Sequence, residues 1–131
     1  MVHYLTNEPP NQDGGAEQPL FLRVAAAVEN DIIAGTLAEG ERVPSTNEIA
    51  AFARINPATA LKGIAQLVAD GIVEKRRGVG MFVTPGARAA LLARRRAEFA
   101  DRYLTPALDE ARRLGFDHAD VIALIAAKDQ P

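Results

Sequence analysis

The sequence contains no cysteine, which removes disulfides, thiolate metal sites and thiol catalysis together and suits a reducing compartment. Tryptophan is also absent and aromatic residues make up only 5% of the chain, so the core must be built from Ala, Leu, Ile and Val. No stretch approaches the eighteen consecutive apolar residues of a membrane-spanning helix. The first residues, Met1-Val2-His3-Tyr4-Leu5, lack the basic flank and apolar run of a signal peptide, so a cytoplasmic location is expected. An excess of positive charge is missing too: the formal net charge is −2. Distribution qualifies that number. Residues 1–19 hold Glu8, Asp13 and Glu17 with no Lys or Arg, whereas Arg54, Lys62, Lys75, Arg76 and Arg77 face only Asp70 and Glu74 within 54–77. A local positive field is what phosphate attraction needs.

What is present is a chain of 131 residues, 48% of them hydrophobic, enough for one modest core with a small appendage. Residues 1–18, with Pro9-Pro10 and Gly14-Gly15 and no periodicity, read as a disordered tail. From about Pro19 to Ala34 the residues Phe21, Val24, Ala25, Val28 and Ile32 share a helical face, and Gly35 stops it. Ser45-Thr46-Asn47-Glu48 is a capping box that opens a short helix to about Ala53, with Ile49, Ala50 and Phe52 as its apolar residues. Asn56-Pro57 opens the next, with Ile64, Leu67 and Val68 expected to face inward up to about Asp70. Gly63 within it costs roughly 1 kcal/mol relative to Ala, which predicts a softened helix.

A hairpin follows. Residues 72–75 and 81–84 read as strands, and Arg76-Arg77-Gly78-Val79-Gly80 as the tip. Pro85-Gly86 then breaks the chain. The remainder is helical: Arg88 to about Leu104, with Leu92, Phe99, Ala100 and Tyr103 on one face, then a kink or restart at Pro106 capped by Thr105. Gly115 ends that piece. Asp117 caps a last helix whose apolar face is Val121, Leu124 and Ile125, with Phe116 stapled onto Val121.

The order helix, short helix, tight connection, second helix, hairpin predicts a mainly α fold with one small β-hairpin, a winged helix-turn-helix. Such a unit reads double-stranded DNA by laying its second helix in the major groove. The capped start of the first helix offers backbone N–H groups to a phosphate. Candidate DNA-binding residues are Ser45, Thr46, Asn47, Arg54, Asn56, Ala58, Thr59, Lys62, Arg76, Arg77, Gly78 and Gly80. The boundaries expected are 19–85 for the DNA-binding domain and 86–131 for a helical dimerisation region. There Leu92, Phe99, Tyr103, Val121, Leu124 and Ile125 would meet a second copy, since these faces have little else to bury against.

The residues Gly35-Thr36-Leu37, Gly40-Glu41-Arg42-Val43-Pro44-Ser45, Glu48-Ile49-Ala50, Asn56-Pro57-Ala58-Thr59, Asp70-Gly71-Ile72-Val73 and Arg76-Arg77-Gly78-Val79-Gly80-Met81-Phe82-Val83 carry, in order, a resemblance to the GntR family of bacterial regulators. Ala111-Arg112-Arg113-Leu114-Gly115-Phe116 and the final helix are similar to its YtrA-type subgroup. The resemblance implies a repressor that dimerises through two C-terminal helices and has no large effector domain. Thr59, Lys62 and the hairpin tip match the family pattern. Asn47 stands where the family has a DNA-contacting Arg, and Gly63-Ile64 where it has Ala-Tyr.

Arg94-Arg95-Arg96, with Glu98 and Asp101 nearby, reads as the wet side of a helix. His118 with Asp117 and Asp120 reads as helix-start chemistry rather than a metal site, so no metal or cofactor is expected. Gly78-Val79-Gly80 is no dinucleotide fingerprint, because no helix opens after it. No catalytic set can be assembled, so an enzyme is not expected. The alternative is a winged helix used for protein interaction, with DNA reading blunted at Asn47 and Gly63. An unidentified small-molecule effector between the C-terminal helices is left open.

Overall fold

The computed structural model describes residues 18–130; the expected tail, apart from its last residue, lies outside the described residues. Helix α1 spans Leu20–Ala34 and buries Val24, Ala25, Ala27, Val28 and Ile32, the three-and-four spacing of one helical face. It ends at Gly35, whose φ of 83° is the left-handed closure that glycine adopts without strain. Helix α2, Thr46–Ala53, opens on the capping box: the Glu48 N–H donates to Ser45 Oγ at 3.1 Å, and the Ser45 N–H donates to Glu48 Oε1 at 3.1 Å. It closes at Arg54, which takes φ 56°. Helix α3, Pro57–Ala69, is capped by Asn56, whose Oδ1 accepts from the Ala58 N–H at 2.8 Å.

These three helices enclose one core. Val24, Val28, Ile32, Ile49, Ile64 and Leu67 fill it, closed from below by Ile72, Val73 and Val83 of the hairpin. Val68 and Phe52 do not join it; both are exposed. Helix α3 is gripped by α1 and α2 along the Ala60, Gly63, Ile64 and Leu67 stripe. Val68 lies about 100° further round that helix than Leu67, which turns it out of the stripe.

Strand β1, Val73–Arg76, pairs antiparallel with β2, Gly80–Val83, in the register Val73↔Val83 to Arg76↔Gly80. The strands thus include both ends of the expected tip. The turn proper is Arg77-Gly78-Val79, closed by the Val79 N–H donating to the Arg76 carbonyl at 2.9 Å. Gly78 at φ 75° supplies the positive φ that the third position of a type II turn requires. The other edge of β2 is also covered. Arg42 bridges to Phe82, the Val43 N–H donates to the Met81 carbonyl at 2.7 Å, and the Val83 N–H donates to the Glu41 carbonyl at 2.9 Å.

Helix α4, Ala87–Phe99, enters the same core: Ala87 and Leu91 are buried with the residues of α1. Arg88 donates to the Ile33 carbonyl at 3.0 Å. Arg94 and Arg95 are not a solvated run, as their sequence suggested. Both reach the buried Glu29 of α1, and Arg95 also bonds Asn30. A carboxylate nearly out of water needs such partners, and α4 is the element that can supply them.

Pro106 neither breaks nor restarts the helix. Residues Ala100–Leu104 widen into a π-helical turn, in which the Thr105 N–H donates five residues back to the Ala100 carbonyl, and α5, Thr105–Arg113, continues from it. Widening relieves the clash between the proline ring and the preceding turn and absorbs its missing N–H. Thr105 has helical dihedrals and makes no side-chain cap. Gly115 (φ 79°) then turns the chain into α6, His118–Lys128. Here Asp117 Oδ1 accepts from the Asp120 N–H, and Asp120 Oδ2 from the Asp117 N–H, each at 2.9 Å. No residue of α6 is buried.

Candidate nucleic-acid interface

The first turn of α2 presents Ser45, Thr46 and Asn47. Ser45 and Thr46 are half-buried, with the Ser45 hydroxyl occupied by its cap, while Asn47 is exposed. The dipole of the helix and its N-terminal N–H groups make this turn locally positive. Glu48 lies there as well. Its carboxyl is held below the usual glutamate range, first by the hydrogen bond from the Ser45 backbone, then by the Ser45 hydroxyl, with Arg42 adding electrostatic attraction.

Arg54 and Asn56 occupy the connection between α2 and α3, both exposed. Asn56 spends its side-chain oxygen on the α3 cap. On α3, Ala58 and Lys62 are exposed and Thr59 is half-buried. The Lys62 ammonium sits 4.3 Å above the Phe21 ring, which steers the side chain along α1 without neutralising its charge. Sequence reasoning passed over Leu61 and Ala65, which complete the outward stripe Ala58, Leu61, Lys62, Ala65. Their spacing of three and four was readable.

Gly63 sits on the opposite side of α3. A Cβ there would approach the Phe21 carbonyl oxygen at 2.8 Å and the Val24 side chain at 3.0 Å. The glycine therefore marks the close crossing of α1 and α3 and does not soften the helix in isolation.

In the hairpin, Arg77, Gly78 and Val79 project at the tip, all exposed. Arg76 behaves differently from the tip residue expected. Its guanidinium lies 4.1 Å over the Phe82 ring and bonds Glu74 Oε1 at 3.3 Å. Arg42, absent from the sequence-derived candidates, lies alongside Gly80.

The C-terminal candidates fall into two groups. Phe99 (58% exposed) and Tyr103 present neighbouring rings, centroids 5.9 Å apart, around the start of the π turn, with Leu92 half-buried before them. On α6, Leu124 and Ile125 are exposed, as is Ile122, at 65%. Val121 instead lines a cleft of about 290 Å³ between α5 and α6 together with Leu108, Ala111 and Phe116.

Three helices around one core, the second and third joined by a tight connection and followed by a β-hairpin, define a winged helix-turn-helix. Residues 20–83 match the family model described as bacterial regulatory proteins, gntR family. The chain carries a GntR-family helix-turn-helix domain. It is similar to the HTH-type transcriptional regulator YhcF of Bacillus subtilis, 31% identical over 68 residues, which are 52% of this chain and 56% of that protein. It is likewise similar to the HTH-type transcriptional repressor YtrA of the same organism, 26% identical over 80 residues, 61% of this chain and 62% of the relative. The matches thus span little more than half of these relatives. Among solved structures, a GntR family transcriptional regulator from Listeria monocytogenes superposes with a TM-score of 0.70 at 22% identity, over 85% of this chain and 96% of that one. The AraR DNA-binding domain, solved in complex with operator ORX1, gives 0.51 at 23% identity, over 59% of this chain and 90% of that one. At these identities the structures establish the fold, including the C-terminal helices in the Listeria protein's case.

Proposed function

We propose that this protein is a transcriptional repressor that occupies a palindromic operator as a homodimer. Helix α3 reads the major groove through Ala58, Thr59, Leu61 and Lys62, and Arg77 with Gly78 takes the adjacent backbone. Thr46, Asn47, Arg54 and the N-terminal N–H groups of α2 position the domain on phosphates. Ser45, Asn56 and Gly80 serve this surface by shaping it. The observation that carries the reading is the outward stripe of α3, flanked by a capped helix start on one side and a glycine-turned arginine tip on the other. The similarity to YtrA, named a repressor, and the operator complex of the AraR domain support it.

Dimerisation follows from the apolar surface left over. A winged domain alone covers a short half-site with limited affinity, and pairing doubles the contact. Phe99, Tyr103, Leu124 and Ile125, with Leu92 and Val121 at their margins, form the face for a second copy. The division proposed is a winged domain over 19–85 extended by the first turns of α4, then a helical dimerisation region to 131. Among the described residues no helix is long and apolar enough to cross a membrane, and a cytoplasmic site of action is part of the proposal.

The test is selection of bound duplexes from a random pool, followed by mobility shifts on the selected sequence. Enrichment of an inverted repeat, lost with Lys62→Ala and Arg77→Ala together, is the expected result. Failure to enrich any sequence, with no shift at low salt, would transfer the winged domain to protein interaction. A monomer in size-exclusion at micromolar concentration would remove the dimer.

A further inference from the structure

Arg42 precedes the Ser45 cap by three residues and lies in the short segment that pairs with the second edge of β2. Phe82 faces Arg42 on that edge and Glu74 on the other, while Gly80 faces Arg76. Strand alternation therefore sets Arg42, Glu74, Arg76, Gly80 and Phe82 on one face of the wing. The face is open to solvent at both arginines.

The two guanidiniums are in different situations. Arg76 sits over the Phe82 ring and shares its charge with Glu74. Arg42 donates no hydrogen bond from its guanidinium and closes no ion pair among the described residues. Its side chain runs across Gly80: a Cβ there would meet Arg42 Nε at 2.9 Å and Cδ at 3.7 Å. Gly80 also takes φ 136°, a backbone conformation that side chains rarely adopt. Glycine at 80 thus serves two ends, the strand geometry and the room for Arg42.

We propose that Arg42 is a further nucleic-acid contact, its guanidinium gripping a backbone phosphate at the seam between the first turn of α2 and the wing, with Gly80 keeping its path clear. This rests on the DNA-binding reading above. A free guanidinium with five N–H donors is suited to a phosphate, and one held between two DNA-facing elements has little orientational freedom to lose. Arg76 is then the stacked support of the wing face, and Arg77 the contact at its tip. The positive side chain beside the first turn of α2 is Arg42.

The experiment compares the full chain with Arg42→Ala, Arg42→Lys and Arg42→Gln on the selected duplex, by fluorescence anisotropy over a salt series. The expected result for Arg42→Ala is roughly tenfold weaker binding at low salt and a slope of log affinity against log salt that falls by about 0.9. Arg42→Gln should match it, and Arg42→Lys should keep the slope. Every duplex should weaken alike, because a phosphate carries no sequence information. Should Arg42→Ala not fold by circular dichroism, Arg42→Gln carries the comparison. Wild-type affinity and slope in the neutral variants would overturn the contact, as would weaker binding with an unchanged slope. If the wild-type chain binds no duplex at low salt, the DNA reading itself fails and takes this contact with it. Binding by the wild type with unaltered variants condemns Arg42 alone.

Discussion

The carboxylate of Glu29 on α1, only 7% exposed as a residue, accepts a hydrogen bond from the guanidinium of Arg94 on α4 at 2.5 Å. That bond holds the Arg94 pKa above its ordinary value, the Glu29 hydrogen bond outweighing the desolvation that opposes it. Arg95 completes the arrangement with Glu29 at 3.4 Å. With Leu91 at 0% exposure one turn before, α4 is latched to α1 from Arg88 to Arg95.

The latch has an expected asymmetry. Glu29 is the buried member, and the arginines reach water. Removing Arg94 and Arg95 together leaves a buried unpaired charge and should cost about 2 kcal/mol, a figure trimmed by the arginines' own exposure. Glu29→Gln removes the charge and keeps the shape, so about 1 kcal/mol is expected. Urea denaturation of both variants checks the order. A larger loss in Glu29→Gln would place the strain on the arginines instead.

Gly63→Ala should reverse the usual rule. In an unobstructed helix the change gains up to about 1 kcal/mol. Here the new methyl meets the Phe21 carbonyl at 2.8 Å, and overpacking of this kind costs about 1–3 kcal/mol. A lowered thermal midpoint is expected. A raised one would mean that α1 and α3 separate freely.

Leu91 and Phe99 lie eight residues apart on one helix and should answer to different measurements. Leu91→Ala empties a site in the core and should cost about 3 kcal/mol. Phe99→Ala should leave the unfolding of the winged domain nearly unchanged and shift size-exclusion toward the monomer. Equal destabilisation by the two would argue against the division of their roles.

Glu48 sets a pH dependence. Its folded pKa lies below the ordinary glutamate value, so its contribution is complete above the unfolded value and is lost as pH falls through the folded one. Stability should decline on the acid side, and Glu48→Gln should flatten part of that limb. Carboxyl chemical shifts followed by NMR during titration provide the direct check; an unshifted Glu48 would contradict the capping geometry.

Local signals were legible. Ser45 with Glu48, Asn56 with Pro57 and Asp117 with Asp120 each act within four residues, so spacing alone placed three helix starts. The partners missed are distant in the chain: Arg94 and Glu29 are 65 positions apart, and a run of three arginines resembles a wet surface until its partner is known. Gly63 carried a similar ambiguity, since a glycine in a helix signals weakness or close contact and only the neighbour decides. Arg42 stood in a recognised motif, yet its position over Gly80 depends on a strand pairing that no short-range pattern announces. At Pro106 the disturbance was visible in sequence, and the π turn that absorbs it was not.

Since Ala87 and Leu91 complete the helical core, the conspicuous Pro85-Gly86 break is a poor place to cut. A fragment ending there would leave an open socket against α1 and tend to aggregate. An autonomous reading head for engineered fusions should carry the chain through Arg95.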